Sequence, residues 1–200
     1  MALITLTEIL YFVILSLIIG YIFSGAFTYR AKTVYEMGKK RKKFYWRDLG
    51  FAVLITAPAI VLHELAHKFV AMGFGFDATF QLFPLGLAIG VILKLVGSPF
   101  ILVAPGFVEI GTAAFANPTA YRLIALAGPV INALLWLAAT IVLKTCHNLN
   151  RTQKSGWKMT RMINLILFIF NMIPFGPLDG AKVLFGPPGG GWCVIDNIAS

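Results

Sequence analysis

The sequence predicts an all-α polytopic membrane protein of about four transmembrane helices, with a membrane-associated β-hairpin or small sheet between the second and third. Three observations carry this expectation. Of 200 residues, 58% are hydrophobic and 12% charged, roughly half the charged share of a soluble domain. Several runs are almost free of charge and reach the roughly 20 apolar residues that cross a bilayer. The basic residues are also clustered: eight of 17 Lys and Arg fall in residues 30–47 and five in residues 144–161, both segments that separate apolar runs. The formal charge of +9 is thus the pattern of loops anchoring a membrane protein, and a nucleic-acid partner is not expected.

Residues 9–27 form the first expected span. No basic stretch precedes them, and the run exceeds a signal-peptide core, so it reads as retained. The basic and aromatic MGKKRKKFYWR at 37–47 closes it at the interface. The second span runs over about 49–72 and contains His63, Glu64 and His67. From 74 to 121 the apolar runs are cut by glycine and proline into pieces too short to span. Residues 79–83, 91–95 and 107–110 read as strands, and irregular backbone at membrane depth must be covered by protein or line a wet cavity. Residues 122–143 form the third span, opened by AGPVIN. After a basic loop, the fourth begins at Met162 and is interrupted at NMIPFGPLDG by Pro174, Gly176 and Pro177. The whole chain reads as one domain: a first helix and basic loop over 1–48, a catalytic core over 49–184, and a Gly/Pro-rich tail over 185–200. Cys146 and Cys193 show no metal-type spacing and indicate no disulfide.

The chemistry lies in HELAH at 63–67. Two imidazoles four residues apart share one helix face, with a carboxylate beside the first. Neutral imidazole nitrogens bind Zn²⁺, and Glu64 is placed as the general base that activates water. Interior histidines paired by hydrogen bonds are the bland alternative. Three ionisable groups within five residues of one span, each costing on the order of 2.5 kcal/mol or more if uncompensated, favour a bound dication. Catalytic zinc usually takes three protein ligands, and Asp179, the acidic residue of the fourth span, is the expected third. Counted at about 1.5 Å per residue from Arg47 and Arg161, the two histidines lie about 24 to 30 Å in and Asp179 about 27 Å. Asn132 and Asn171 are intramembrane amides: each can tie helices together, hold a substrate backbone, or orient water and a developing oxyanion. Glu109 and Asp77 read as loop or edge charges.

HELAH with the following Ala71, Gly73 and LFPLG at 82–86, AGPVIN at 127–132 and NMIPFGPLDG at 171–180 together span most of residues 51–184. On these motifs the chain resembles the site-2 protease family of intramembrane zinc metalloproteases. The resemblance implies zinc held by His63, His67 and Asp179, Glu64 as catalytic base, a membrane-embedded sheet that presents substrate as an added strand, and membrane-anchored regulators as substrates. The expected partners are therefore a membrane-anchored protein substrate and the lipid bilayer, and the expected location is the cell membrane. The rival reading is a zinc-binding membrane protein without protease activity, such as a metal transporter or a protease-derived scaffold. A transport site needs no adjacent non-ligating base like Glu64, and alternating access favours internal repeats, which the chain lacks. Both basic segments fall on the side opposite the active-site end. The positive-inside rule makes that side cytoplasmic and opens the site toward the outer face, whereas the resemblance implies a site near the cytosol. The size of the charge bias favours the first.

Overall fold

The computed structural model describes residues 3–24, 46–98 and 106–187. Most of the basic segment 30–47 and of the 185–200 tail lies outside the described residues. The elements run α1 (Leu6–Phe23), α2 (Trp46–Gly73), β1 (Ala78–Leu82), α3 (Pro84–Val96), β2 (Gly106–Ile110), a 3-10 turn (Thr112–Ala116), α4 (Pro118–Thr145), α5 (Arg151–Asn171) and α6 (Asp179–Phe185). Among the described residues, three helices are long and apolar enough to cross a membrane: Leu6–Phe23, Asp48–Gly73 and Pro118–Thr145.

The fourth expected span differs from expectation. α5 begins at Arg151, so the second half of the predicted basic loop is helical. Its start is set by a capping box, in which the Gln153 N–H donates to the Asn150 side chain and the Asn150 N–H donates back to Gln153. Lys154, Lys158 and Arg161 then ride on the helix, which leaves only residues 162–171 as a continuous apolar stretch, about half of what a span needs.

The 91–95 segment, expected as a strand, lies inside α3. Pro84 occupies the first turn, where its missing N–H costs nothing, and Gly97, at φ 75°, closes the helix with its N–H on the carbonyls of Leu93 and Lys94. Periodicity could not separate a short apolar helix from a strand, and these two end signals decide it. The other two strands form where expected. β1 and β2 pair antiparallel, with Ala78 opposite Ile110 and Leu82 opposite Gly106, and the chain between them carries α3.

α2 is the central helix, touching α1, α4, α5 and both strands. α1 runs antiparallel to it. Gly20 abuts Val53 near one end, and near the other Glu8 meets Lys68, whose Nζ lies 2.6 Å from Oε2. Both residues are almost wholly buried. Glu8 also accepts the Phe80 N–H of β1 at 2.8 Å and closes a capping box with Thr5. One carboxylate thus ties α1, α2 and β1 together, and a buried charge is tolerable only when paired in this way. Phe80 fills the space beside it, stacked on Phe12 at 4.4 Å and packed on Leu15, Ile19 and Leu87. At its other end α1 is held by Lys94 of α3, whose Nζ donates to the Tyr21 carbonyl and to Ser24 Oγ and sits 4.1 Å from the Tyr21 ring centre. α3 turns Gly86, Leu87 and Gly90 inward and leaves Leu85, Ile89, Ile92 and Leu95 exposed.

Candidate metal centre

HELAH folds as the helix that its spacing requires, so His63 and His67 project from one side of α2 toward α4. α4 approaches closely because residue 128 is glycine: a Cβ there would lie 2.4 Å from His67 Nε2 and 2.6 Å from His63 Nε2. Asp179 comes from α6, which packs against α4. α5 ends at Asn171, the chain turns through Gly176 at φ 57°, and α6 starts at Asp179. Gly180 lets that start fold back onto the end of α5, since a Cβ there would come within 2.4 Å of the Met172 carbonyl.

The three side chains meet at their tips. His63 Nε2 and His67 Nε2 are 3.1 Å apart, and Asp179 Oδ2 lies 3.1 Å from the first and 3.2 Å from the second. All three residues are buried. The far side of each ring fixes what its tip offers. His67 Nδ1 is 2.7 Å from the Ile124 carbonyl oxygen, which can only accept, so Nδ1 carries the proton. His63 Nδ1 is 2.6 Å from Asn132 Oδ1, while the Asn132 amide hydrogens go to the Ala59 carbonyl and to Asn164 Oδ1 at 3.0 and 2.9 Å. His63 Nδ1 is therefore protonated as well. Both Nε2 atoms then turn lone pairs toward each other and toward a carboxylate oxygen. Three acceptors so close require a positive charge among them. A proton can bridge one pair, whereas a dication serves all three. An ion held tetrahedrally at about 2.0 to 2.1 Å separates its ligand atoms by about 3.3 Å, close to the edges of this triangle. The donor set, with the N–H of each histidine tied to a carbonyl or amide oxygen, fits zinc.

Comparison with known proteins agrees with this chemistry. A relative in Methanocaldococcus jannaschii, named Putative zinc metalloprotease, is 36% identical over 137 residues that make up 66% of this chain and 68% of the relative. The chain belongs to this zinc metalloprotease family. A Bacillus subtilis member of the same name is 30% identical over 157 residues, 70% of this chain and 71% of its own. A Synechocystis member is 33% identical over 132 residues, which are 66% of this chain and 29% of that longer protein. No family model matches the chain, and no solved structure gives a significant match.

Among the described residues, His63, His67 and Asp179 form a group whose ligand atoms lie close enough together to hold a metal ion. Glu64, next in sequence to His63, is 8% exposed and makes no hydrogen bond to a described residue. Its carboxylate is left uncommitted beside the triad. Asn132 is fully buried, with its Oδ1 against His63 Nδ1. Asn171, half-buried at the end of α5, makes no side-chain hydrogen bond to a described residue, so the structure does not tie it to the triad. Glu109 is exposed on β2, within 3.4 Å of Gln81, and Asp77 is exposed, with its carbonyl accepting the Gly111 N–H.

Two residues at the centre were not legible from the motifs. Asn164 of α5 bonds to Asn132. Lys182, one turn into α6, donates to Asp179 Oδ1 at 3.2 Å, so the two oxygens of Asp179 are divided between a lysine and the histidine pair. Asn164 had a usable signal, as a lone amide inside the apolar MINLILF. Lys182 had its i, i+3 spacing from Asp179.

Proposed function

We propose that this chain is an intramembrane zinc metalloprotease of the site-2 protease kind, which hydrolyses peptide bonds of membrane-anchored proteins, as in regulated intramembrane proteolysis, from a multi-pass position in the cell membrane. The observation that carries the reading is the buried triangle of His63, His67 and Asp179, built between helices of which α2 and α4 are apolar and long enough to span. The outward apolar side of α3 is in keeping with a lipid surrounding.

Zinc in that triangle supplies a Lewis acid that polarises a carbonyl and makes water acidic near neutral pH. The chain's own residues do the rest. Glu64 takes a proton from the attacking water as its oxygen bonds to the scissile carbonyl carbon. It then returns that proton to the leaving nitrogen as the C–N bond breaks. Its freedom from other hydrogen bonds suits a group that must both accept and give a proton. His67 and His63 keep their Nε2 lone pairs aimed inward through the Ile124 carbonyl and Asn132. A helical substrate hides its scissile carbonyl, so it must be extended first, and pairing along the β1–β2 sheet is a route to that extension.

The test is cleavage of a membrane-anchored substrate by purified protein, with and without a zinc chelator, beside Glu64→Gln. The variant keeps size and packing but loses the base. It should bind zinc as the wild type does and lose proteolysis by at least about 100-fold. Cleavage at near wild-type rate by Glu64→Gln would remove Glu64 from the reaction. Tight zinc binding with no hydrolysis of any substrate by the wild type would favour the transporter or scaffold reading instead.

A further inference from the structure

We propose that Asn164 is a positioning residue of the metal centre, acting through Asn132 to fix which ring nitrogen of His63 faces the ion; this rests on the zinc reading above. Asn164 is fully buried, at 0% exposure, and belongs to α5, which supplies none of the three ligands. Its amide has a defined sense. Nδ2 donates to the Thr160 carbonyl of its own helix at 2.8 Å, so Oδ1 is turned away from α5 and toward α4. There it accepts a hydrogen from Asn132 Nδ2 at 2.9 Å.

The second hydrogen of Asn132 Nδ2 goes to the Ala59 carbonyl of α2 at 3.0 Å. Two acceptors on two different helices therefore hold the NH₂ end of Asn132, and its Oδ1 is left facing His63 Nδ1 at 2.6 Å. An acceptor at that point keeps the proton on Nδ1 and the lone pair on Nε2, the form a metal requires. If Asn132 were reversed, its oxygen would face the Ala59 carbonyl and Asn164 Oδ1, two acceptor-to-acceptor contacts, and its NH₂ would face His63 Nδ1. That would favour the tautomer with the proton on Nε2, which cannot ligate. Asn164 supplies one of the two contacts that forbid the reversal, and Ala59 the other. Simple helix-to-helix glue would work with either sense of the amides, but here the sense is set step by step from Thr160 to His63.

The experiment compares Asn164→Leu with Asn164→Asp in the full chain. Leucine removes the acceptor, whereas a buried, protonated aspartic acid keeps its carbonyl oxygen toward Asn132 and donates its O–H to the Thr160 carbonyl. Zinc affinity is read by competition with a chelating indicator, the visible spectrum is read after cobalt(II) substitution, and the unfolding midpoint of zinc-free protein is read separately. Asn164→Leu should bind zinc about 10- to 100-fold more weakly, the usual size of an effect behind a ligating histidine, with an altered cobalt spectrum. Asn164→Asp should stay within about threefold of wild type. Should Asn164→Leu fail to accumulate in membranes, Asn164→Ala is read in its place. Undiminished zinc affinity in the leucine or alanine variant, with only a lowered unfolding midpoint, would overturn the proposal and leave Asn164 as packing between α4 and α5. Absence of zinc from the wild type would overturn the underlying reading and this proposal with it.

Discussion

Replacing Gly128 by alanine pits local helix preference against the metal centre. Residue 128 lies inside α4, where alanine is favoured over glycine by about 1 kcal/mol. The helix alone would therefore be stabilised. The new methyl would lie 2.4 Å from His67 Nε2 and 2.6 Å from both His63 Nε2 and Cε1, about 1 Å inside ordinary contact. Metal ligands tolerate displacements of only about 0.2 Å from their ideal distances. To relieve the overlap, either α4 must withdraw or both rings must swing off their Nδ1 anchors at Ile124 and Asn132. Either movement opens the triangle, and we expect at least a 100-fold loss of zinc affinity, about 2.7 kcal/mol. Zinc affinity by chelator competition and thermal unfolding of the zinc-free protein should then move in opposite directions or independently. Gly50→Ala, where a Cβ meets nothing within 4 Å, is the control. Wild-type zinc affinity in Gly128→Ala would refute the premise that the histidine tips facing Gly128 hold the ion.

Asp179→Ala should lower zinc content and proteolysis together, and an Asp179→Ala protein with full zinc and full turnover would put the third ligand elsewhere. Glu8→Gln leaves the Lys68 ammonium buried beside a neutral amide and should destabilise the fold by about 3 to 5 kcal/mol; pairing it with Lys68→Met should recover part of that loss, measured as unfolding midpoints in detergent. Orientation can be read from exposed Cys146 at the basic end of α4 and from Thr119→Cys at its other end in a chain lacking Cys146, with Cys193 replaced in both. By the charge bias, a reagent that cannot cross the membrane should label residue 119 and spare 146 in intact cells, and the reverse pattern would put the site on the cytosolic side.

Much of the centre could be read from the chain because its chemistry is written in short spacings. His63 and His67 share a helix face by the 3.6-residue period alone. Asp179 stood out as an acid in a broken apolar run at matching depth, although it reaches the histidines by a turn and a new helix rather than along a span. What escaped the reading depends on contacts between distant segments. Glu8 stands just before the apolar run of the first helix and looks like an end charge, until Lys68 and the Phe80 N–H are brought to it from 60 and 72 residues away. The strand assigned at 91–95 failed because Leu, Ile and Val alone suit a short helix and a strand equally, and Pro84 and Gly97 carried the distinction. α5 starts ahead of its apolar stretch because lysine and arginine are good helix formers once Asn150 and Gln153 provide a start, a cue that the clustering of basic residues hides.

On the proposed membrane position, the Glu8–Lys68 pair also bears on how the chain would insert during synthesis. A lysine in an apolar helix opposes insertion when it arrives without a partner, by at most about 2.5 to 3.5 kcal/mol, the cost at the helix centre. α1 is made before α2 and carries, in its first turn, the carboxylate that will neutralise that lysine. The second helix can therefore partition with its lysine already paired, in a hairpin whose sliding register this contact and the Gly20–Val53 approach help to fix. The first helix would then serve as an assembly guide for the helix that carries the metal ligands, although it supplies no ligand itself.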